Sequence, residues 1–140
     1  MSYAKLVSSV KAHEGFRTTA YQDTEGVWTI GYGTNLQTLT IDQQTAEKFL
    51  IEALDEAYED AADLPEWEYL DTPARRNVVV EMIYNLGFAG YKKFTRARMF
   101  MENQDWQSAS LEMLDSKWAR QVGNRAKRLA GLMRKGNYDY

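Results

Sequence analysis

The sequence predicts an α+β fold that is mainly α. Apolar residues recur at helical spacing in Tyr3, Leu6, Val7 and Val10, and again from Ala46 to Ala61. Two short runs rich in Thr, Tyr, Val, Ile and Trp, residues 18–23 and 27–32, flank Asp23-Thr24-Glu25-Gly26, which has the composition of a tight turn. Beyond Pro65, capping residues and glycines divide the chain into short helical stretches. The N-terminal part therefore reads as a helix plus a β-hairpin and the C-terminal half as a cluster of helices. A long helix is the strut between them.

Each element has a local reason. Residues 3–13 form an amphipathic helix with Ser2 as N-cap, and Gly15 stops it, leaving Glu14 at its last turn. In the hairpin, Trp28 and Ile30 alternate with Thr29 and Gly31, and the glycines at 31 and 33 leave room for a backbone or a ligand. Leu36 to Leu39 is a connection. Thr40-Ile41-Asp42-Gln43 matches a capping box and opens a helix over about 41–63, with Ala46, Phe49, Leu50, Ala53, Leu54, Ala57, Tyr58 and Ala61 on one face and acids on the other. Pro65 ends it. Asp71 caps the next helix, with Pro73 in its first turn, Val79, Met82, Ile83 and Leu86 along one side, and Gly87 as its stop. Short helices follow at Thr95–Asn103 around Met99 and Phe100, after Asp105 through Trp106, Ala109, Met113 and Leu114, and from Ser116 at Trp118. Asn124 caps the last, which turns Ala126, Leu129 and Met133 inward and closes at Gly136.

A chain of 140 residues is long enough to bury a core in one compact unit. The 44% apolar and 26% charged content is that of a globular protein, and four Trp, nine Tyr and five Phe suit a core or a sugar-binding surface. With no Cys there is neither disulfide nor thiolate metal site, and one His leaves little for zinc, so no metal or other cofactor is expected. No run approaches the ~20 apolar residues of a membrane span, and the N-terminus lacks the apolar stretch of a signal peptide, so a cytoplasmic start is expected. Charge is divided: residues 1–70 hold 4 Lys and Arg against 13 Asp and Glu, and residues 71–140 hold 13 against 7. That division fits two lobes of opposite sign or simply differing solvated faces.

Residues 14–33 concentrate the chemistry. Glu14, Asp23 and Thr29 are two carboxylates and a hydroxyl on a path that folds back on itself. A carboxyl at the last turn of a helix meets the negative end of the dipole, which disfavours its ionised form and suits a proton donor; a solvated helix-end Glu is the plainer alternative. Two carboxylates, a hydroxyl and aromatic surface without metal ligands are what glycoside hydrolysis requires.

The segment E-G-x-R-x-x-A-Y-x-D-x-x-G-x-W-T-I-G-Y-G, from Glu14 to Gly33, resembles the motif of the bacteriophage lysozymes (endolysins) of the T-even phage type. The likeness continues through Asp71, Arg75-Arg76, Asn85-Leu86-Gly87, Phe94-Thr95, Trp106, Ser116-Lys117-Trp118 and Asn124 to Arg128, nearly the whole chain. It implies one catalytic domain over 1–140, with lobes at about 14–40 and 64–140, an N-terminal helix packing on the C-terminal lobe, a linking helix at about 41–63, and a cleft between the lobes. The implied activity is hydrolysis of the β-1,4 bond between N-acetylmuramic acid and N-acetylglucosamine in peptidoglycan, for host-cell lysis. By the same match Glu14 is the general acid. Asp23 activates water or stabilises the oxocarbenium-like transition state, and Thr29 holds the water. Arg125 is a cation near Glu14, and Tyr32, Asn35, Tyr84, Asn85 and Glu112 line the cleft. Members of this type invert the anomeric centre, which needs roughly 6.5–9.5 Å between the carboxyls. The resemblance further implies a monomer that stays in the host cytoplasm until a separate holin-like protein opens the membrane, and then acts on the wall in the periplasm. It implies neither nucleic-acid binding nor stable membrane insertion.

The chain departs from the type at several points. Thr34 follows G-Y-G where His is usual, His13 precedes Glu14 where an acid is usual, and Ala97 and Glu112 stand where Ser and Asn are usual. The interval from Gly33 to Asp71 is shorter. Rival readings are a lytic transglycosylase, a non-catalytic wall-binding relative, and a basic amphipathic helix over Asn124–Lys135 that binds nucleic acid or an anionic membrane. Asp23 with Thr29 argues for water activation, hence for a hydrolase.

Overall fold

A computed structural model describes residues 3–138 of the chain. Among them are eight α-helices and one three-stranded antiparallel sheet, the α+β, mainly α architecture expected. The chain divides into two compact units, Met1–Ala46 and Glu47–Tyr140.

In the first unit, helix α1 (Tyr3–Glu14) ends as Gly15 donates its N–H to Lys11 O at 3.0 Å. The expected cap Ser2 lies outside the described residues. Strands β1 (Arg17–Gln22), β2 (Trp28–Gly31) and β3 (Thr34–Asn35) follow in sequence order. β1 and β2 pair Tyr21 with Thr29 and Gln22 with Trp28, with an irregularity towards Arg17. β3 adds a strand to the expected hairpin, pairing Asn35 with Thr29 and Thr34 with Ile30, because the chain reverses tightly through Gly31-Tyr32-Gly33. Thr29 thus sits at the centre of the sheet and is 5% exposed.

Helix α2 (Gln43–Ala62) starts two residues later than the capping box suggests. Its cap is Asp42, whose Oδ1 accepts the Thr45 N–H at 2.8 Å, and not Thr40. A 3-10 turn (Trp67–Tyr69) leads to α3 (Pro73–Leu86), whose cap is Thr72 and not Asp71: the Thr72 hydroxyl accepts the Arg75 N–H at 3.1 Å. Asp71 is drawn away by Arg75 Nη1 at 2.8 Å, one turn along. Gly87 stops α3 and at once begins an unexpected short helix, α4 (Phe88–Lys92). α5 (Thr95–Glu102), α6 (Trp106–Leu114), α7 (Lys117–Val122) and α8 (Asn124–Lys135) complete the second unit. Asp105 and Ser116 cap α6 and α7 as expected, whereas Gly123, not Asn124, precedes α8 and supplies no side-chain cap.

The core lies in the second unit, built from the end of α2 (Ala57, Ala61) and the inner faces of α3 to α8. Val79, Met82 and Ile83 of α3, and Ala126, Leu129 and Met133 of α8, are buried as their spacing predicts. α5 buries Ala97 and Met101, rests Phe100 against the core and leaves Met99 49% exposed. One charge lies fully inside. Glu66, 0% exposed, accepts bonds from Arg98 Nε at 2.7 Å, Arg98 Nη2 at 3.1 Å and the Tyr91 hydroxyl at 2.7 Å. Burial, and then the Glu66 carboxylate, push the Tyr91 hydroxyl well above its ordinary pKa, so it stays a donor. The Glu66 bond likewise raises the pKa of Arg98.

Candidate active site

The first unit brings Glu14, Asp23, Thr29, Tyr32 and Asn35 onto one helix end and one small sheet. Glu14 is the last residue of α1, and its carboxyl lies over the turn that joins β2 to β3: a Cβ placed on Gly33 would fall 2.6 Å from Glu14 Oε2. The carboxyl is therefore seated against bare backbone.

Asp23 is held by its own turn. Its Oδ1 accepts N–H groups from Glu25 at 2.8 Å and Val27 at 2.9 Å, while its N–H donates to Val27 O at 2.9 Å. Two backbone donors fix the carboxylate plane and leave Oδ2 without a hydrogen-bond donor among the described residues. The Thr29 hydroxyl, one strand position beyond Trp28, donates its single proton to Val27 O at 2.9 Å. With that proton spent, its oxygen can only accept. Asp23 Oδ2 and Thr29 Oγ1 are thus both left to accept hydrogen bonds.

Tyr32 packs against Phe16, ring centroids 5.2 Å apart, with Lys11 Nζ 5.2 Å from its own ring centre. Asn35 spends its Oδ1 on the Gln37 N–H at 2.8 Å, which keeps its amide nitrogen available. Thr34 is an exposed residue of β3, and His13 an exposed residue of the last turn of α1.

The remaining expected residues lie in the second unit and fall into two groups. Tyr84 and Arg125 line one groove of about 480 Å³ together with Leu50, Tyr58 and Glu81. Glu112 lines another of about 470 Å³, beside Phe94, Arg96, Lys117 and Trp118. Asn85 is tied to the second group, since its Oδ1 accepts the Trp118 Nε1 proton at 2.7 Å. Each charged member has a partner that the sequence reading missed. Arg125 Nε donates to Glu81 Oε2 at 2.9 Å, and Arg96 Nε donates to Glu112 Oε1 at 3.0 Å. Glu81 was discoverable, being three residues before Tyr84 and so on the same side of α3. Nothing local marks Arg96 as the partner of a residue sixteen positions away.

The packing of α8 bears on the membrane-binding rival. Its apolar residues Ala126, Leu129, Ala130 and Met133 are buried in the core, so that face is occupied and not open to a bilayer. Among the described residues no helix is long and apolar enough to cross a membrane.

Comparison with known proteins gives the same direction. The family model described as phage lysozyme matches residues 11–138. Two proteins of Dictyostelium discoideum, named "Probable T4-type lysozyme 1" and "Probable T4-type lysozyme 2", are 23% and 25% identical, and the alignments cover 94% and 95% of this chain and 96% and 95% of theirs. A protein named "Endolysin" from Acyrthosiphon pisum secondary endosymbiont phage 1 is 29% identical over 90% of this chain and 86% of its own. The Dictyostelium alignments run to 164 positions, more than the 140 residues here, so those relatives carry segments that this chain lacks. With its sheet, its helices and a match spanning nearly its full length, the chain belongs to the phage lysozyme family and is a lysozyme, a glycoside hydrolase.

Proposed function

We propose that this lysozyme is an endolysin that hydrolyses the β-1,4 bond between N-acetylmuramic acid and N-acetylglucosamine in bacterial peptidoglycan, by a single displacement with water. Glu14 gives its proton to the glycosidic oxygen as the bond to the anomeric carbon breaks. Water attacks that carbon from the opposite face and yields its proton to Asp23, and solvent restores the proton on Glu14. Thr29 accepts the water's other hydrogen. The product then carries the inverted anomer. Tyr32, Asn35, Tyr84, Asn85, Glu112 and Arg125 bind the glycan.

The observation that supports this reading is that backbone hydrogen bonds leave Asp23 and Thr29 each with an oxygen free to accept. A water that donates one hydrogen to Asp23 Oδ2 and the other to Thr29 Oγ1 presents a lone pair for attack, and its proton passes to Asp23 as the new bond forms. A transglycosylase has no use for that arrangement, because its own substrate hydroxyl is the nucleophile. In the cell the enzyme acts as a monomer in host lysis, passing from the cytoplasm to the wall through a membrane opened by a separate holin-like protein.

Mass spectrometry of digested peptidoglycan tests the bond chemistry. Hydrated reducing ends on N-acetylmuramic acid are expected, and anhydro ends would overturn the hydrolytic reading. Glu14→Gln should reduce the rate at least about 100-fold, the usual scale of general acid catalysis, with an unchanged circular dichroism spectrum. A Gln variant as fast as the parent would remove Glu14 from its role.

A further inference from the structure

Gly31 ends β2 and Gly33 stands two residues on, in the turn to β3, with φ of +70° and +83°. Both therefore hold a backbone conformation that an L side chain resists. They differ in what a side chain would touch. A Cβ at Gly31 would meet nothing within 4 Å, whereas one at Gly33 would lie 2.6 Å from Glu14 Oε2, 2.9 Å from its Cδ and 3.3 Å from its Cγ. Non-bonded carbon and oxygen do not approach within 2.6 Å, so the Glu14 carboxyl occupies the volume that a residue-33 side chain would need. The loop carries two glycines for one backbone reason, and one of them for a second reason.

We propose that Gly33 is a positioning residue for the proton donor: its missing side chain is the seat in which the Glu14 carboxyl rests. This builds on the role given to Glu14 above. The seat is tied to the same sheet that holds the water ligands, since Thr34 pairs with Ile30 and Asn35 with Thr29. Gly33 thereby transmits the register of the sheet to a carboxyl that belongs to a helix. A methyl group there forces the carboxyl to swing aside, and a displacement of about 1 Å at a reacting group costs on the order of 100-fold in rate.

Gly31→Ala and Gly33→Ala form a matched pair, both at positive φ, and only at position 33 would the added Cβ meet Glu14. Thermal unfolding and steady-state kinetics are compared for both, each with Glu14 present and with Glu14→Ala. The kcat of Gly33→Ala should fall on the order of 100-fold below that of Gly31→Ala, with KM changed less than about threefold. In stability, Gly33→Ala should lower Tm more in the parent than in the Glu14→Ala background, while Gly31→Ala lowers it equally in both. Equal kcat for the two alanine variants overturns the proposal. So does a Gly33→Ala loss of Tm that is indifferent to the Glu14 side chain. If Gly33→Ala alone does not fold, folding of the Glu14→Ala/Gly33→Ala double variant supports the seat, and its failure to fold overturns it. Failure of the general-acid reading would look different: Glu14→Gln would stay active while the Tm coupling between residues 14 and 33 persisted.

Discussion

At the residue scale, Thr29 shows how one hydrogen bond decides a chemical role. Its hydroxyl proton goes to Val27 O, so the oxygen is committed to accepting, and it faces the same task as the unengaged oxygen of Asp23. Thr29→Ser keeps a hydroxyl on the same backbone bond and should retain activity within about tenfold. Thr29→Val keeps the shape and loses the acceptor, and its kcat should fall by about 100-fold, the lower range for removing one polar catalytic contact. Equal turnover in Ser and Val variants, measured on peptidoglycan, would show that the hydroxyl does not hold the nucleophile. Glu14, Asp23 and Thr29 could be singled out as candidates because their spacing is local. How Asp23 divides its two oxygens was not, since it depends on the N–H groups of Glu25 and Val27 converging in a turn. Arg96 was illegible for the reverse reason, since its partner Glu112 lies 16 residues away, and the helical spacing that puts Glu81 beside Tyr84 does not reveal its bond to Arg125, 44 residues on.

At the scale of elements, the sequence pattern located helices well and their first residues less well. Where two capping residues stand close together, the pattern alone does not choose. Asp42 displaces Thr40 at α2, and Thr72 displaces Asp71 at α3 once Arg75 has claimed the carboxylate. The third strand was missed because two residues carry no periodicity; the tight reversal after β2 makes it. The sequence centres α5 on Met99 and Phe100 but does not single out Ala97 and Met101 as its buried residues, as an eight-residue helix leaves little pattern from which to choose a face. The α2 cap has a pH consequence. Hydrogen bonds from the Thr45 side chain and backbone N–H hold the Asp42 carboxyl below its ordinary pKa. A group lowered on folding stabilises fully above its unfolded pKa and ceases to do so as pH falls through its folded value. Asn at position 42 keeps an acceptor and does not titrate. The Tm of the parent should therefore drop more steeply than that of Asp42→Asn below about pH 4, and parallel curves would deny the cap its role.

At the scale of the whole molecule, the balance of burial is uneven. The apolar core and the buried Glu66 with its partners belong to the unit Glu47–Tyr140. In that core, removing Arg98 would strand a carboxylate without a counter-charge, a change that typically costs about 3–5 kcal/mol. The unit Met1–Ala46 has no buried apolar side chain among its described residues; Thr29 is its one buried residue. Apolar burial is the main force against chain entropy, so this unit stands at the low end of local stability. Glu14, Asp23 and Thr29 all belong to it, while most of the helix belongs to the other. Warming should therefore silence the enzyme before it melts the molecule. The temperature at which half the lytic rate is lost should lie below the midpoint followed by far-ultraviolet circular dichroism, and amides of β1 and β2 should exchange with deuterium well before those of α3 and α8. Coincident midpoints would mean that the two units open as one. The sparse packing around the sheet thus makes the proposed active residues the molecule's thermal fuse.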